Sequence, residues 1–229
     1  MNLIAIETST SCCSAALITE TQEVEVKVIS TKSQASLLAQ MTDDILAQAN
    51  LSKHDIDCVA FGSGPGSFNG VRAAASFTHA VSLVNKIPVV AISSLKALAF
   101  SNITSETKNI LSVVDARQNE VYFAAYSVQG NNIRSILKKE HNLAKPEEIF
   151  VPKGADWVLA ICNGDIIEHK LPTEIRNMTR STVTEPSSLS VGKLAKIAHN
   201  INMPRALNNA MHLYLRHPVK GETDEQKIR

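Results

Sequence analysis

The sequence predicts an α/β fold made of two related domains with a cleft between them. The first observation is the order of its periodic segments: three strands, a helix, a strand, a helix and a strand, then a shorter unit that opens with a similar strand meander. The second is that these segments are separated by turns rich in hydroxyl side chains, glycine and asparagine. With 229 residues, the chain can bury a sizeable core.

Composition and charge exclude several classes of protein. Lys and Arg number 23 and Asp and Glu 22, a net charge of +1, so no global positive field draws the chain to nucleic acid or membranes. No apolar run reaches the ~18 residues of a membrane span, and the first residues lack the basic region of a signal peptide. The four cysteines have no CxxC spacing. We therefore expect reduced thiols, a cytoplasmic location and no membrane association.

Three strands are predicted close to the amino terminus. Leu3–Ile6 is a short apolar run that ends at the hydroxyl-rich turn Glu7–Ser11, and Cys12–Ile18 is apolar again. Glu23–Ile29 alternates with period two, which is typical of a half-exposed strand at the edge of a sheet. The short turns between these runs predict a meander.

Residues 33–50 change to helical periodicity. Their apolar side chains cover an arc of about 180° on the helical wheel, whereas a helix that packs on one sheet needs only about 100°. Two interpretations remain open: a core helix covered over a wide arc, or a helix with a second apolar contact to another chain. The side chains expected at such a contact are Leu37, Leu38, Met41 and Ile45.

A glycine-rich stretch follows the next predicted strand, Cys58–Phe61, and precedes a second helix at residues 70–84. Strand, glycine-rich turn and helix is the arrangement that directs free backbone N–H groups at an anion. The stretch lacks the lysine of a Walker loop and the third glycine of a dinucleotide loop. A candidate anion site and a plain strand-to-helix connection therefore both remain open. The residues of this stretch are Gly62, Gly64, Pro65, Gly66, Ser67, Phe68, Gly70 and Arg72.

The second helix has no charged side chain between residues 73 and 84. A helix of this kind should be covered on most sides, so a partner helix is again an open interpretation. We expect Ala74, Phe77 and Val81 to lie at that contact. A strand, Val89–Ile92, and a short helix capped by a serine complete the first unit.

The polar residues 101–109 are interpreted as a linker to the second unit. This unit opens with two strands joined by a turn at Asp115–Asn119. Its predicted elements are the strands Ile110–Val114, Glu120–Val128, Ile133–Leu143 and Trp157–Cys162, a helical first turn at Pro146–Ile149 and an amphipathic helix Ser190–Ile201.

Several segments together resemble the bacterial TsaB (YeaZ) family of the actin-like ATPase (ribonuclease H-like) superfamily. The most specific is GSGPGSFNGVR at residues 62–72. The supporting segments are Ile6–Ser9, Val114–Arg117, Glu120–Tyr122, Lys145–Ile149 and Tyr214–Arg216. The resemblance implies two actin-like domains, the second smaller and degenerate. Residues 1–104, joined by 205–217, would form the first, residues 105–204 the second, and residues 218–229 a charged flexible tail.

The resemblance implies a non-catalytic partner subunit of TsaD in the complex that forms N6-threonylcarbamoyladenosine at position 37 of tRNAs reading ANN codons. Such a subunit scaffolds and activates threonylcarbamoyl transfer from threonylcarbamoyl-AMP, binds TsaD directly through the two helices of its first domain, and works beside TsaE. The resemblance implies contact with tRNA only via the complex and no cofactor of its own, because ATP and metal are used by partner subunits. Pairing of the isolated chain with a second copy remains open.

Active ATPases of the superfamily carry an Asp-x-Gly turn after the first strand of each domain. Glycine there lets the backbone approach phosphate, and the acid holds metal-bound water. The corresponding turns here, Glu7-Thr8-Ser9 and Asp115-Ala116-Arg117, contain no glycine. We interpret Glu7, Thr8, Ser9, Asp115 and Arg117 as remnants of phosphate turns, with no metal site and no catalytic residue. The alternative is a small nucleotide-dependent kinase or ATPase of the same fold.

Overall fold

The computed structural model describes residues 1–29, 34–153 and 156–200. Several sequence predictions lie outside these residues: the helix start at Ser33, the segment 205–217, the motif Tyr214–Arg216 and the tail 218–229. Across the described ranges, two sheets and the helices that cover them form the predicted α/β structure. No helix in this part of the chain combines the length and the apolar character that a membrane span requires.

The first sheet confirms the predicted strands almost to the residue. Its strands are β1 (Leu3–Glu7), β2 (Cys12–Ile18), β3 (Glu23–Ile29), β4 (Cys58–Gly62) and β5 (Val89–Ile92). They lie in the order β3-β2-β1-β4-β5. The first three form an antiparallel meander, and β4 and β5 run parallel to β1. The carboxyl ends of β1, β4 and β5 therefore meet at one edge of the sheet.

Two long helices, α1 (Gln34–Gln48) and α2 (Phe68–Asn85), cover one face of this sheet. Leu38, Met41 and Ile45 of α1 are buried in the core beneath it. The wide apolar arc of α1 is covered by β2 on one side and by α2 on the other. Apolar contacts of this helix are thus supplied within the chain, which favours the interpretation of a core helix covered over a wide arc.

A short helix, α3 (Ser94–Phe100), follows β5 and leads into the second sheet. The strands of that sheet are β6 (Asn109–Arg117), β7 (Glu120–Gln129), β8 (Asn132–Ser135), β9 (Asn142–Ala144), β10 (Trp157–Cys162) and β11 (Thr179–Arg180). Their order is β11-β10-β6-β7-β8, and β9 also pairs with β7. β6, β10 and β11 are parallel, whereas β7 runs antiparallel to β6, β8 and β9.

Three predictions for this sheet are wrong in detail. β6 continues to Arg117, so the predicted turn shrinks to Gln118 and Asn119, which both have positive φ. The predicted strand Ile133–Leu143 is two separate strands, β8 and β9, that pair with different parts of β7. The predicted helix start at residues 146–149 is a single 3₁₀ turn.

The outer face of the second sheet is covered by short helices rather than by long ones. α4 (Gly164–Ile167) and α5 (Thr173–Arg176) are each a single turn. Ile167 and Ile175 from these turns are buried against the sheet, in a cluster with Leu159. In the part of the chain that the structure describes, this face therefore has no pair of long covering helices like α1 and α2.

The last described helix, α6 (Ser188–Asn200), packs on the face of the first sheet opposite α1 and α2. Gly192 permits the close approach, because a Cβ there would lie 3.1 Å from the Cβ of Ala5 in β1. α3 and α6 form a layer between the two sheets, and buried residues from both sheets share one core cluster with them. The predicted domain boundaries assign residues 188–200 to the second domain, and those boundaries stay predictions.

A carboxylate from the first sheet caps α6. Glu25 on β3 accepts hydrogen bonds from the Ser188 hydroxyl and the Leu189 backbone N–H, both at 2.9 Å, and pairs with Lys27 at 3.0 Å. Burial by itself raises the pKa of Glu25, but the bonds from Leu189, Lys27 and Ser188 outweigh it, so the pKa lies below its ordinary value of 4.5. The ionised form of Glu25 is therefore the form that the folded protein favours.

Glu25→Gln is expected to lower the free energy of unfolding at pH 7 by about 1 to 2 kcal/mol, because two charge-assisted bonds to α6 weaken. The pKa of Glu25 is lower in the folded state, so its contribution is present above pH 4.5 and disappears as the pH falls through the folded-state pKa. Urea unfolding of both proteins at several pH values measures the difference in unfolding free energy, which should shrink in acid.

Glu23→Gln is the matched control. Glu23 forms an exposed ion pair with Lys193 of α6, so this change should alter the free energy of unfolding by less than about 1 kcal/mol. A difference that stays constant with pH would contradict this account.

Candidate functional site

A cavity of about 410 Å³ lies between the two sheets at the carboxyl ends of β1 and β6. Its walls are the turn after β1, the glycine-rich stretch after β4, and the ends of β6 and β10. In α/β proteins, ligands bind at the carboxyl ends of strands, and this volume falls in the range of about 300 to 1,000 Å³ found for small-molecule sites. We call it the cleft cavity.

The acid predicted as a remnant of the first phosphate turn does not face the cleft cavity. The side chain of Glu7 is 0% exposed. Its Oε1 accepts from the Ser9 backbone N–H at 2.6 Å and its Oε2 from the Ser94 hydroxyl at 2.8 Å. Burial raises the pKa of Glu7 above its ordinary value, and the hydrogen bonds from Ser9 and Ser94 offset part of that rise. Glu7 is therefore held inside the protein, away from any ligand in the cavity.

The glycines of the stretch after β4 are required by contacts within the chain. A Cβ at Gly62 would lie 1.9 Å from the Glu7 Oε2, and a Cβ at Gly66 would lie 2.3 Å from the Ser9 backbone oxygen. Gly64 has a φ of 87°, which side chains rarely adopt. The stretch thus packs directly on the turn after β1, which favours the interpretation of a strand-to-helix connection.

Several backbone donors of the stretch are already used. The N–H of Ser63 donates to the Ile92 oxygen at 2.7 Å, that of Gly64 to the Ser94 hydroxyl at 3.2 Å, and that of Ser67 to the Ser9 oxygen at 2.6 Å. An anion could recruit these groups only by breaking a bond inside the protein. These three groups are therefore not free donors for an anion.

The start of α2 joins the same network. Ser67 is its N-cap, with a side chain that accepts from the Gly70 N–H, and the Gly70 oxygen accepts from the Thr8 hydroxyl at 2.7 Å. Phe68 and Arg72 lie on the surface, where the guanidinium carbon is 4.1 Å from the centre of the aromatic ring. These contacts fix where α2 begins.

The residues of the second predicted turn, at the end of β6, contact one another. The Asp115 Oδ1 accepts from the Arg117 backbone N–H at 2.9 Å, and its Oδ2 lies 3.5 Å from the Arg117 guanidinium. The Asp115 carboxylate is almost fully buried, whereas the Arg117 side chain is largely exposed. The local role of Asp115 is to shape the end of the strand.

The structure brings together only part of the predicted site. Five predicted residues line the cleft cavity: Ser9, Gly66, Ser67, Asp115 and Arg117. The other residues of the two motifs lie outside its lining, either buried behind it or on the surface at the start of α2: Glu7, Thr8, Gly62, Gly64, Pro65, Gly70, Phe68 and Arg72.

Sequence reasoning missed several residues of this region. Tyr122 and Asn163 line the cavity, and Ser94 is the buried partner of Glu7. Asn163 has a φ of 56° at the end of β10, where it opens the sequence Asn-Gly-Asp, a pattern typical of a turn. No local pattern marks Ser94, because its partner lies 87 residues away.

Within the described residues, no group of three or more His, Cys, Asp or Glu side chains is placed to hold a metal ion. A second cavity, of about 640 Å³, lies at the amino ends of β6 and β10. It contains none of the predicted site residues. The cleft cavity is therefore the better candidate for a ligand site.

An apolar surface runs along the outside of α2. Ala73, Phe77, Ala80 and Val84 follow one another at spacings of four, three and four residues, and we call them the outer stripe. Val84 is 75% exposed, Ala80 is exposed, and Ala73 and Phe77 are half-buried; Leu83 beside the stripe is 71% exposed. Such spacing places side chains on one side of a helix and is typical of helix–helix packing.

Only part of the predicted partner surface agrees with this geometry. Four of its residues are buried in the core of the chain, so a partner could not touch them in this conformation: Leu38, Met41, Ile45 and Ala74. The other three, Leu37, Phe77 and Val81, are half-buried against the same core, and their contact with a partner stays a prediction. The helical-wheel pattern shows only how wide the apolar arc of a helix is. It could not show whether that arc is buried by a sheet and a helix of the same chain or left exposed for a partner.

Comparisons with known proteins give consistent results. The family model of TsaD, described as tRNA N6-adenosine threonylcarbamoyltransferase, matches residues 27–213. A Haemophilus influenzae protein named tRNA threonylcarbamoyladenosine biosynthesis protein TsaB is 28% identical over 228 residues, covering 96% of this chain and 95% of that protein. The Escherichia coli K12 protein of the same name is 31% identical over 167 residues, covering 69% and 72%. This chain belongs to the TsaB (YeaZ) family.

The solved structure of YeaZ from Pseudomonas aeruginosa confirms the fold class. It matches with a TM-score of 0.85 at 29% identity and covers 93% of this chain and 99% of that one. The resemblance to the TsaB family drawn from residues 62–72 is thus confirmed. The curated TsaB relatives are named for tRNA threonylcarbamoyladenosine biosynthesis.

Proposed function

We propose that this chain is the non-catalytic partner subunit of TsaD in the formation of N6-threonylcarbamoyladenosine at position 37 of tRNAs reading ANN codons. The observation that carries the proposal is the outer stripe of α2, an exposed apolar helix surface of the kind that another helix covers. Family membership supports it, because the TsaB relatives are named for this biosynthesis.

TsaD is the partner that the stripe fits best. The chain matches the TsaD family model over most of its length, so the two proteins are related and TsaD should carry a counterpart of α2. Two related helices can pack on each other about an approximate two-fold axis. The same surface would pair two copies of this chain when TsaD is absent.

In this proposal the chain contributes no catalysis and holds no cofactor of its own. A kinase or ATPase needs an acid that holds a metal ion beside the transferred phosphate. Glu7 is buried and hydrogen-bonded within the chain, and Asp115 is engaged by its own turn. ATP and metal would be used by the partner subunits, TsaE would join the complex, and tRNA would be reached only through it, in the cytoplasm.

Size-exclusion chromatography with light scattering tests the proposal directly. The chain and its cognate TsaD, purified separately and mixed, should elute as one species with the summed mass of one copy of each. The measurement is repeated with ATP and magnesium, with ADP and without nucleotide. If the two proteins elute separately under every one of these conditions, the partner-subunit proposal fails.

A further inference from the structure

The buried carboxyl group of Glu7 is compensated by uncharged hydrogen-bond donors. Removing a carboxyl group from water is unfavourable unless hydrogen bonds or a cation compensate it. Among the described residues, the ion pairs do not include Glu7, and its two oxygens accept from a backbone N–H and a hydroxyl. Uncharged donors that converge on two oxygens are the usual elements of a site for a small oxyanion.

The backbone of the glycine-rich stretch also leaves space for the Glu7 carboxyl group and positions one of its donors. Because Gly62 has no side chain, its backbone lies directly against the Glu7 Oε2. Ser94, which donates to that oxygen, is itself held by the Gly64 N–H and donates its own backbone N–H to the Gly64 oxygen at 2.8 Å. The donor is therefore positioned by the glycine-rich stretch and not by Glu7 alone.

We propose that the turn after β1 and the glycine-rich stretch form a carboxylate-binding site that the chain fills with its own Glu7. The class of ligand is a monocarboxylate of the size of formate or acetate. The described donors are uncharged and the carboxyl group they bind is fully buried, so a doubly charged phosphate would be poorly compensated there. The site shares Ser9 and the glycine-rich stretch with the wall of the cleft cavity, but the Glu7 side chain is fully buried and is not part of that cavity's lining.

Glu7, as the group that fills this site, also affects the position of α2. The turn that follows Glu7 is bound to the start of this helix twice, by the Thr8 hydroxyl on the Gly70 oxygen and by the Ser67 N–H on the Ser9 oxygen. Glu7 thus stabilises the turn and the start of α2 without any bound nucleotide. The chain would present α2 in one position whether or not ATP is available.

Chemical rescue of Glu7→Ala tests this site. The variant keeps the donors and the space but loses the carboxyl group, so its melting temperature should fall well below that of the wild type. Sodium formate at 0.1 to 0.3 M should then raise that temperature by about 3 °C more than the same concentration of sodium chloride. Acetate should act in the same direction, whereas the wild type should respond equally to formate and chloride.

Two further variants make the result specific. Glu7→Gln fills the same space with a neutral group, so formate should not stabilise it more than chloride does. Ile6→Val, a buried change on the same strand, should be destabilised and likewise show no formate effect. If Glu7→Ala does not fold in chloride, refolding it in formate should recover soluble protein.

Equal responses of Glu7→Ala to formate and chloride, or failure to refold in formate, would overturn the proposal. A formate effect of the same size on Ile6→Val would also overturn it, because that effect would be general salt stabilisation. The assay contains no TsaD, so its outcome is independent of whether the partner-subunit proposal holds.

Discussion

Glutamate at both Ala80 and Val84 is expected to weaken the complex with TsaD at least about 100-fold, because burying two unpaired charges at a packed helix interface costs several kcal/mol. Both positions are exposed in the free chain, so the double variant should keep its fold and its melting temperature within about 3 °C of the wild type. Surface plasmon resonance on immobilised TsaD measures the change in Kd.

A matched control separates loss of the stripe from a general effect of charge. Ile136→Glu introduces the same side chain at an exposed apolar position outside α2, in the segment between β8 and β9. It should leave the Kd for TsaD within a factor of about three. Equal loss of binding by the control and the double variant would remove the outer stripe as the interface.

Gly66→Ala is expected to lower the free energy of unfolding by about 3 kcal/mol, because the added methyl group overlaps neighbouring atoms that must shift to make room for it. The added Cβ would lie 2.3 Å from the backbone oxygen of Ser9 and 2.7 Å from its Cβ. Backbone must move to relieve such a contact, and the bond from the Ser67 N–H to the Ser9 oxygen breaks when it does. Guanidinium unfolding measures the loss.

Gly130→Ala is the matched control for this substitution. No atom lies within 4 Å of a Cβ at Gly130, although its φ is +57°. The control should therefore cost only the backbone strain of a left-handed alanine, about 1 kcal/mol. If Gly66→Ala were no more destabilising than Gly130→Ala, the close packing of the glycine-rich stretch on the turn after β1 would be refuted.

The first sheet was largely predictable because its strands carry strong local signals. Cys12–Ile18 and Glu23–Ile29 match the structure to the residue, since one is apolar except at Ser14 and the other alternates with period two. The second sheet was less predictable. The segment Ile133–Leu143 has apolar residues at both ends and a polar run at 138–142. Its two ends pair with different parts of β7, and the predicted single strand ran across the polar run that separates them.

The candidate site was harder to predict, because its chemistry depends on distant contacts. An acid at the end of a strand has the same local pattern whether it faces a ligand or accepts from a buried serine, and the partner of Glu7 lies in α3. The glycines of residues 62–66 likewise indicated close backbone approach without indicating what approaches. In the structure it is the turn after β1 that approaches them.

The most direct test of the proposed function is transfer itself, measured in a reconstituted reaction. TsaD, TsaE, threonylcarbamoyl-AMP, ATP and unmodified tRNA are combined with and without this chain, and N6-threonylcarbamoyladenosine is quantified by mass spectrometry of the digested tRNA. The account predicts product only when the chain is present and no ATP hydrolysis by the chain alone. Product formed equally without the chain, or ATP hydrolysis by the isolated protein, would contradict it.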